Sequence, residues 1–303
     1  MANIPSWVYK LLIVLATIIW GFSFVVMKDV VAVLPPAWLL GMRFLFAGAL
    51  LLVILRKRVM RFCSRKVVTY GFILGVLDFT AFWLQTVGLK HTTPGINAFL
   101  TATYCVLVPF AWWLIARKRP TVFNIVAAIV AVCGIWLVSV SSSGETLSIG
   151  FGEAMTLGCA VAFAAHIVAV SKFAQKCDAL VLTVFQFIAE GTLGIVFGAA
   201  TEVFPGVAAF TPEIIGQMLF LAVFASVVAF GIQNVSLAHV PPTQASLLLS
   251  LESVFGVVFS ILLYGEQMTL RLVVGFVLIF AAIVISETLP LKEKPCRRKT
   301  TSS

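Results

Sequence analysis

The chain has 303 residues, of which 61% are hydrophobic and 11% are charged, and its formal net charge is +9. Soluble domains carry about 25% charged residues, so this sequence is too apolar to cover a globule with polar surface, and a soluble domain is excluded. A basic excess alone would suit nucleic acid, but the positions of the charges along the chain exclude that partner, as shown below.

Ten apolar segments follow one another, each about 20 residues long, the length a helix needs to cross the hydrocarbon core of a bilayer. The predicted spans are 8–27, 36–55, 67–89, 95–116, 122–140, 150–171, 179–200, 213–236, 243–264 and 270–288. Proline, glycine and serine mark the joints, for example at Pro35-Pro36, Pro94-Gly95 and Ser141–Gly144. No small-residue cleavage pattern follows the first segment, so we expect a span there and not a removed signal peptide.

The basic residues favour one side of this predicted bundle. With a cytoplasmic amino terminus, the inner side holds Lys10 near the start of the first span, the basic residues of the inner loops and those of the tail, which are all of the 21 lysines and arginines except Lys28, Arg43, Lys90 and Arg271. This is a strong positive-inside bias, which predicts that both termini are cytoplasmic. The net charge is therefore a topology signal, and we expect the basic loops to contact anionic lipid and not nucleic acid.

Two stretches of the sequence repeat one another 148 positions apart. AFWLQTVGLKHTTP at 81–94 and AFGIQNVSLAHVPP at 229–242 are identical at seven positions. Five predicted crossings separate them, and because five is odd the two copies face opposite sides of the membrane. We therefore predict an all-α polytopic membrane protein with ten transmembrane helices in two inverted five-helix repeats. The predicted parts are a first repeat at 1–140, a loop at 141–149, a second repeat at 150–288 and a basic cytoplasmic tail at 289–303.

Inverted halves are typical of secondary transporters, whose binding site lies near the bilayer midplane where the halves meet. Transport by alternating access is the favoured function. A duplicated scaffold without transport activity, a channel and a polytopic membrane enzyme stay open as alternatives. No enzymatic activity is predicted, because the sequence shows no clustered acid, His or Ser motif at a membrane face.

Polar and aromatic side chains at helical spacing mark a candidate cavity. Residues 97, 101 and 104 share one face of the fourth span, and residues 78, 82 and 85 share one face of the third. The offset of 148 places Glu252 at the equivalent of Tyr104, and Gln233 at the equivalent of Gln85. The predicted substrate-binding residues are Trp20, Phe24, Asp78, Phe82, Gln85, Asn97, Thr101, Tyr104, His166, Gln233 and Glu252.

Four charged residues lie well within predicted spans, where an ionised group turns inward, pairs or takes up a proton. Asp78 and Glu252 are the candidates for proton coupling, because burial favours a neutral carboxyl group. We interpret Glu190 as structural, and Arg43 as a structural pairing residue or one that reaches the outer interface. The six cysteines form no CxxC pair and the three histidines are scattered, so neither a metal nor a cofactor is predicted.

Four motifs stand in a definite order and spacing: WGFSF at 20–24, FLTATYCVLVPFAWWL from Phe99, FAAHIVAV at 163–170 and LLLSLESVFG from Leu247. In these motifs the chain resembles the drug/metabolite transporter superfamily, in its ten-span EamA-domain branch. Ser253 stands where the family commonly has proline. The resemblance implies a permease of the bacterial cytoplasmic (inner) membrane that exports a small metabolite, amino acid or drug, with an importer of the same fold as the alternative. We expect a monomer or homodimer whose partners are the lipid bilayer and a small-molecule substrate.

Overall fold

A computed structural model describes residues 5–117, 119–139, 149–237 and 248–289. Ten apolar helical segments occupy these ranges, and we number them spans one to ten. They are Ser6–Val33; Pro36–Ile54; Arg65–His91; Pro94–Ala102 with Tyr104–Ala116; Val122–Ser139; Phe151–Phe173; Ala179–Thr201; Pro212–Leu219 with Phe220–Val228 and Ala229–Leu237; Leu251–Phe259 with Ser260–Tyr264; and Leu270–Thr288. Seven are long and apolar enough to cross a membrane, and spans five, nine and ten are shorter apolar helices. The predicted all-helical polytopic membrane fold is confirmed.

The helix bounds depart from the predicted ones in three places. Span one continues to Val33, because the Lys28 ammonium is satisfied by backbone carbonyls of span three and does not end the helix. A short helix at Arg56–Phe62, which was not predicted, connects spans two and three. Span four breaks at Thr103, whose hydroxyl donates to the Leu100 carbonyl at 2.6 Å and so competes with the helical ladder. The predicted loop at 141–149, the tail at 289–303 and the start of the ninth segment lie largely outside the described residues.

Three pairs of equivalent spans, two with seven, four with nine and five with ten, pack against each other in antiparallel fashion. In spans two and seven, Gly41 lies against Gly194 while Gly48 lies against Ile188, so the numbering rises in one helix as it falls in the other. Spans four and nine show the same order, and so do spans five and ten. Helices related by the repeat run in opposite directions, which confirms that the halves are inverted. Glycines at these contacts let the backbones approach closely.

The face of the bundle at which span one ends is held together by polar side chains. The Lys28 Nζ donates to the carbonyls of Leu89 and Thr92, both at 2.7 Å. The Glu266 carboxylate accepts hydrogen bonds from the Thr93 hydroxyl, the Ser260 hydroxyl and the Gly95 N–H. Glu202 accepts from the first N–H groups of span two. These contacts tie spans one, three, four and nine together at this face, and they tie span seven to span two.

The amino-terminal face, where span one begins, carries one well-formed ion pair. The Arg58 Nη2 lies 2.8 Å from Asp178 Oδ2, and Asp178 also accepts from the Val181 N–H at the start of span seven. Partial burial alone would raise the pKa of Asp178, but the hydrogen bonds from Arg58 and Val181 outweigh it, so this pKa lies below its ordinary value. The pair anchors the short helix Arg56–Phe62 to the second half.

Candidate functional site

A cavity of about 220 Å³ lies between the two halves, and spans one to four and six to nine contribute its walls. All of the predicted substrate-binding residues except Asn97 line it. These are Trp20, Phe24, Asp78, Phe82, Gln85, Thr101, Tyr104, His166, Gln233 and Glu252. The structure therefore brings together residues that are far apart in the sequence. Their role in substrate binding stays a prediction.

Asn97 is fully buried behind the cavity wall and does not line the cavity. Its Nδ2 donates to the Gln85 carbonyl at 3.2 Å and to the Thr156 hydroxyl at 2.7 Å, linking spans three, four and six. The Gln85 side chain in turn donates to the Thr101 hydroxyl at 3.2 Å. Asn97 is placed to hold the backbone that carries a lining residue, which spacing along one helix does not reveal.

Several lining residues were not predicted, among them Arg43, Phe163, Gln186 and Phe230. The two phenylalanines were detectable, because each precedes a predicted residue, His166 or Gln233, by three positions and so shares its helical face. The interpretation in which Arg43 reaches the outer interface is wrong. Its side chain is 2% exposed, and its Nε donates to the Ser226 hydroxyl at 3.0 Å within the bundle.

Arg43 belongs to a buried cluster of charged and polar groups. Its guanidinium interacts electrostatically with Glu190 and Asp78. The Asp78 carboxylate accepts from Gln186 Nε2 at 2.6 Å, and its other oxygen lies 3.6 Å from His166 Nδ1. Glu190 is fully buried behind the wall, and neither of its oxygens has a hydrogen-bond partner among the described residues. Glu190 therefore lies within the bundle and does not face the cavity.

Glu252 meets Tyr104 where spans four and nine cross. The Tyr104 hydroxyl donates to Glu252 Oε1 at 3.4 Å, and the two residues are the ones that the offset of 148 relates. A contact between equivalent residues of inverted halves lies on the pseudo-two-fold axis. Within the described ranges, the ion pairs are those of Asp178 and Asp78, so Glu252 faces the cavity without a cationic partner there.

Seven aromatic rings form an unbroken series of contacts beside the cavity, which we call the aromatic belt. Successive ring centroids lie 5.1 to 6.1 Å apart. In order, the belt consists of Tyr104, Phe163, Phe82, Phe44, Phe187, Phe230 and Trp20. The Arg43 guanidinium lies 4.7 Å from the centroid of Phe44 and 5.3 Å from that of Phe82. One section of the belt therefore already holds a cation against its ring faces.

A π-helical segment in span eight positions two of the lining side chains. Within Phe220–Val228, the Ala225 carbonyl accepts from Trp20 Nε1 at 2.8 Å, and the Ser226 hydroxyl accepts from Arg43 Nε. Such wide turns are rare and occur frequently at functional sites, because they present backbone groups that an α-helix would use internally. The segment links the second half to spans one and two at the cavity.

The cavity extends from the middle of the bundle toward the amino-terminal face. Ser171, near the end of span six, and Thr183, near the start of span seven, both line it, and both lie close to that face. Polar contacts close the opposite face at Lys28 and Glu266. In the part of the chain that the structure describes, no group of three or more His, Cys, Asp or Glu could hold a metal ion.

Comparison with known proteins finds a transporter family and several relatives that match over most of the chain. The model of the EamA-like transporter family matches residues 7–140 and again residues 150–288. An uncharacterized transporter of Archaeoglobus fulgidus is 28% identical over 271 residues, covering 89% of this chain and 83% of the relative. The uncharacterized transporter YvbV of Bacillus subtilis is 26% identical over 292 residues (95% and 94%), and protein PagO of Salmonella typhimurium is 26% identical over 303 residues (95% and 96%). A solved crystal structure matches with a TM-score of 0.66 over 93% of this chain and 98% of its own, at 17% identity, which shows the fold alone.

Proposed function

The chain belongs to the EamA-like transporter family, and we propose that it is a secondary transporter that exports a small metabolite, amino acid or drug across the bacterial cytoplasmic membrane by alternating access. The observation that carries this proposal is the central cavity, which lies between two inverted halves and contains the contact between the equivalent residues Tyr104 and Glu252. A site on the pseudo-two-fold axis is presented to either face by the same rocking motion. Import by the same fold is the alternative, since inverted halves make the path reversible.

The distribution of contacts supports one of the two states that alternating access requires. The cavity reaches toward the amino-terminal face, while Lys28 and Glu266 tie the spans at the opposite face. We infer that both termini are cytoplasmic, from the positive-inside bias, and that this arrangement is open to the cytoplasm. The opposite state would require the contacts of Lys28 and Glu266 to separate.

We propose that the lining residues have two different roles in substrate binding. Trp20, Phe24, Phe82 and Tyr104 supply apolar and aromatic surface. Polar groups orient the substrate, namely Gln85, Thr101, His166 and Gln233 together with the carboxyl groups of Asp78 and Glu252. Asn97 acts through Gln85, whose backbone it holds. Asp78 and Glu252 are the proposed sites of proton coupling, and no catalytic step, nucleic acid or cofactor enters the scheme.

Transport by purified protein in vesicles tests the proposal. A thermal-shift screen of amines, amino acids, nucleosides and sugars first identifies a ligand, because a compound that binds the native state raises the melting temperature by mass action. The radiolabelled ligand is then followed into proteoliposomes with and without a pH gradient. We expect saturable flux that the gradient accelerates. Glu252→Gln should abolish the acceleration, whereas Glu213→Gln, the same change at an exposed site, should preserve it.

Each contrary result has a distinct meaning. Flux that does not saturate would indicate a channel, and turnover of a lipid or nucleotide by the purified protein would indicate an enzyme. A rate that neither the gradient nor Glu252→Gln alters would remove the proton role of Glu252. Sedimentation of the detergent-solubilised protein would decide between a monomer and a homodimer.

Labelling of single cysteines tests the topology. In a cysteine-free background, Lys90→Cys should react with a membrane-impermeant maleimide in intact cells, because this residue is exposed at the face where span three ends. Lys66→Cys, exposed at the start of the same span, should react only after permeabilisation. Labelling of both positions from the same side would show that span three does not cross the membrane. Reaction of Lys66→Cys alone in intact cells would show that the protein has the opposite orientation in the membrane.

A further inference from the structure

We propose that the cavity selects organic cations, and specifically monoamines with an aromatic or apolar body, with the Glu252 carboxylate as counter-ion and the aromatic belt as the binding wall. This inference rests on the proposed transport function and names the substrate class of the same site. It follows from a comparison of the three charged groups that line the cavity, Arg43, Asp78 and Glu252, and of the partners that each has within the protein.

Arg43, which lines the cavity, is already bound by other groups of the protein. The Arg43 Nε donates to the Ser226 hydroxyl, its Nη1 lies 3.3 Å from the Met27 sulfur, and its charge interacts favourably with the Asp78 carboxylate. It also lies against two rings of the belt. A substrate carboxylate would have to displace these partners from a residue that is only 2% exposed. Arg43 is therefore a structural cation and a poor receptor for an anion.

The two carboxyl groups of the cavity differ in the same respect. Asp78 has Gln186 and His166 beside it as well as the charge of Arg43. Glu252 has the neutral hydroxyl of Tyr104. An ionised carboxylate in a low-dielectric site without a cation is costly, so the position favours a ligand that brings the missing positive charge.

The belt provides surface of the kind that binds such a ligand. Phe163, Phe230 and Trp20 line the cavity, and among the residues described no lysine or arginine lies over these three rings. Aromatic faces attract an ammonium group and also pack against an apolar body. Arg43 over Phe44 and Phe82 is the protein's own example of the same interaction.

Three probes that differ only in their charged groups test the inference. Phenethylamine carries an amine, phenylalanine carries the amine and a carboxylate, and phenylacetate carries the carboxylate alone. Binding to the purified full chain in detergent is measured by titration calorimetry. We expect phenethylamine to bind at least about tenfold more tightly than either of the others, because Arg43, the cation among the described lining residues, already has partners within the protein.

Variants connect this selectivity to the named groups. Glu252→Gln should weaken phenethylamine binding by about tenfold or more, whereas Glu213→Gln, the same charge change at an exposed position, should leave the Kd unchanged. Glu252→Asp should recover part of the loss by restoring the charge. Should Glu252→Gln fail to fold, Phe163→Leu removes one ring of the belt and should weaken phenethylamine binding about three- to tenfold.

The outcomes separate the substrate class from the transport function. Equal or tighter binding of phenylalanine or phenylacetate would overturn the cation inference, and so would phenethylamine binding that Glu252→Gln does not change. Selective binding of phenethylamine without flux in proteoliposomes would uphold the cation site and contradict the proposed transporter. Saturable flux of a neutral or anionic compound, together with no binding of phenethylamine, would uphold the transporter and overturn the cation site.

Discussion

The packing of span two against span seven leads to a sharp prediction about one glycine. A Cβ atom added at Gly194 would lie 2.5 Å from the backbone nitrogen of Gly41 and 3.0 Å from the carbonyl oxygen of Ala37. These neighbours are backbone atoms of a packed helix, so they cannot move away by a side-chain rotation as the end of a flexible side chain could. Gly194→Ala should therefore push the two helices apart. Gly216, on span eight, has no atom within 4 Å of such a Cβ, and Gly216→Ala is the matched control.

The magnitude follows from adding one methyl group to a close-packed contact. Overpacking costs typically about 1–3 kcal/mol, and the upper part of this range applies because the obstructing atoms belong to backbone. Alanine gains about 0.5–1 kcal/mol over glycine in a helix, which partly offsets the cost at Gly194. At Gly216 only the gain remains. We expect Gly194→Ala to lower the free energy of unfolding by about 1–3 kcal/mol, and Gly216→Ala to leave it unchanged or raise it by up to about 1 kcal/mol.

Thermal unfolding of the purified variants in detergent, followed by intrinsic tryptophan fluorescence, measures both effects. A loss of this size should lower the Tm by about 2–6 °C, since large domains shift roughly 2 °C for each kcal/mol. Equal melting temperatures for Gly194→Ala and Gly216→Ala would refute the reasoning. Spans two and seven would then not meet through their glycine faces, and the antiparallel pairing of equivalent helices would lose its main contact.

Two further predictions concern the two faces of the bundle. Glu266→Gln should lower the free energy of unfolding by about 1–3 kcal/mol, because hydrogen bonds from Thr93, Ser260 and Gly95 to a charged acceptor are replaced by bonds to a neutral one. The control is Glu213→Gln. If both variants had the Tm of the wild type, the hydrogen bonds to Glu266 would not stabilise this face. Arg58→Ala should cost under about 1 kcal/mol at pH 7, since the side chain of Arg58 is 49% exposed. Because the folded-state pKa of Asp178 is lowered, the contribution of the pair is fully present above the unfolded pKa of about 3.9 and is lost as pH falls through the folded pKa below it. The Tm difference between wild type and Arg58→Ala should thus shrink progressively as pH falls below about 4, and a difference that stays constant there would exclude this origin.

Hydropathy and the internal repeat were enough to predict the number of apolar helices and the inversion of the halves. A span must be apolar over about 20 residues, so one short stretch of sequence is enough to identify it. The offset of 148 also predicted that Tyr104 and Glu252 are equivalent, and the structure places their side chains in contact. Helical spacing and the offset together predicted about half of the cavity-lining residues, because residues on one face of a helix point toward the same neighbouring helices.

Other features depend on which spans are neighbours, and only the tertiary structure decided those. The partners of Arg43 are Ser226 and Met27, the aromatic belt combines rings from seven different spans, and Asn97 turns away from the cavity toward Thr156. Spacing cannot reveal these contacts, because lipid tails are as apolar as a protein core and apolar residues therefore occur on every face of a span. Phe72 is 54% exposed and Leu114 is 74% exposed, whereas Phe44 and Leu100 are fully buried. The sequence by itself determined which segments lie in the membrane and which way the halves are turned, and the packing of distant helices decided which side chains meet at the site.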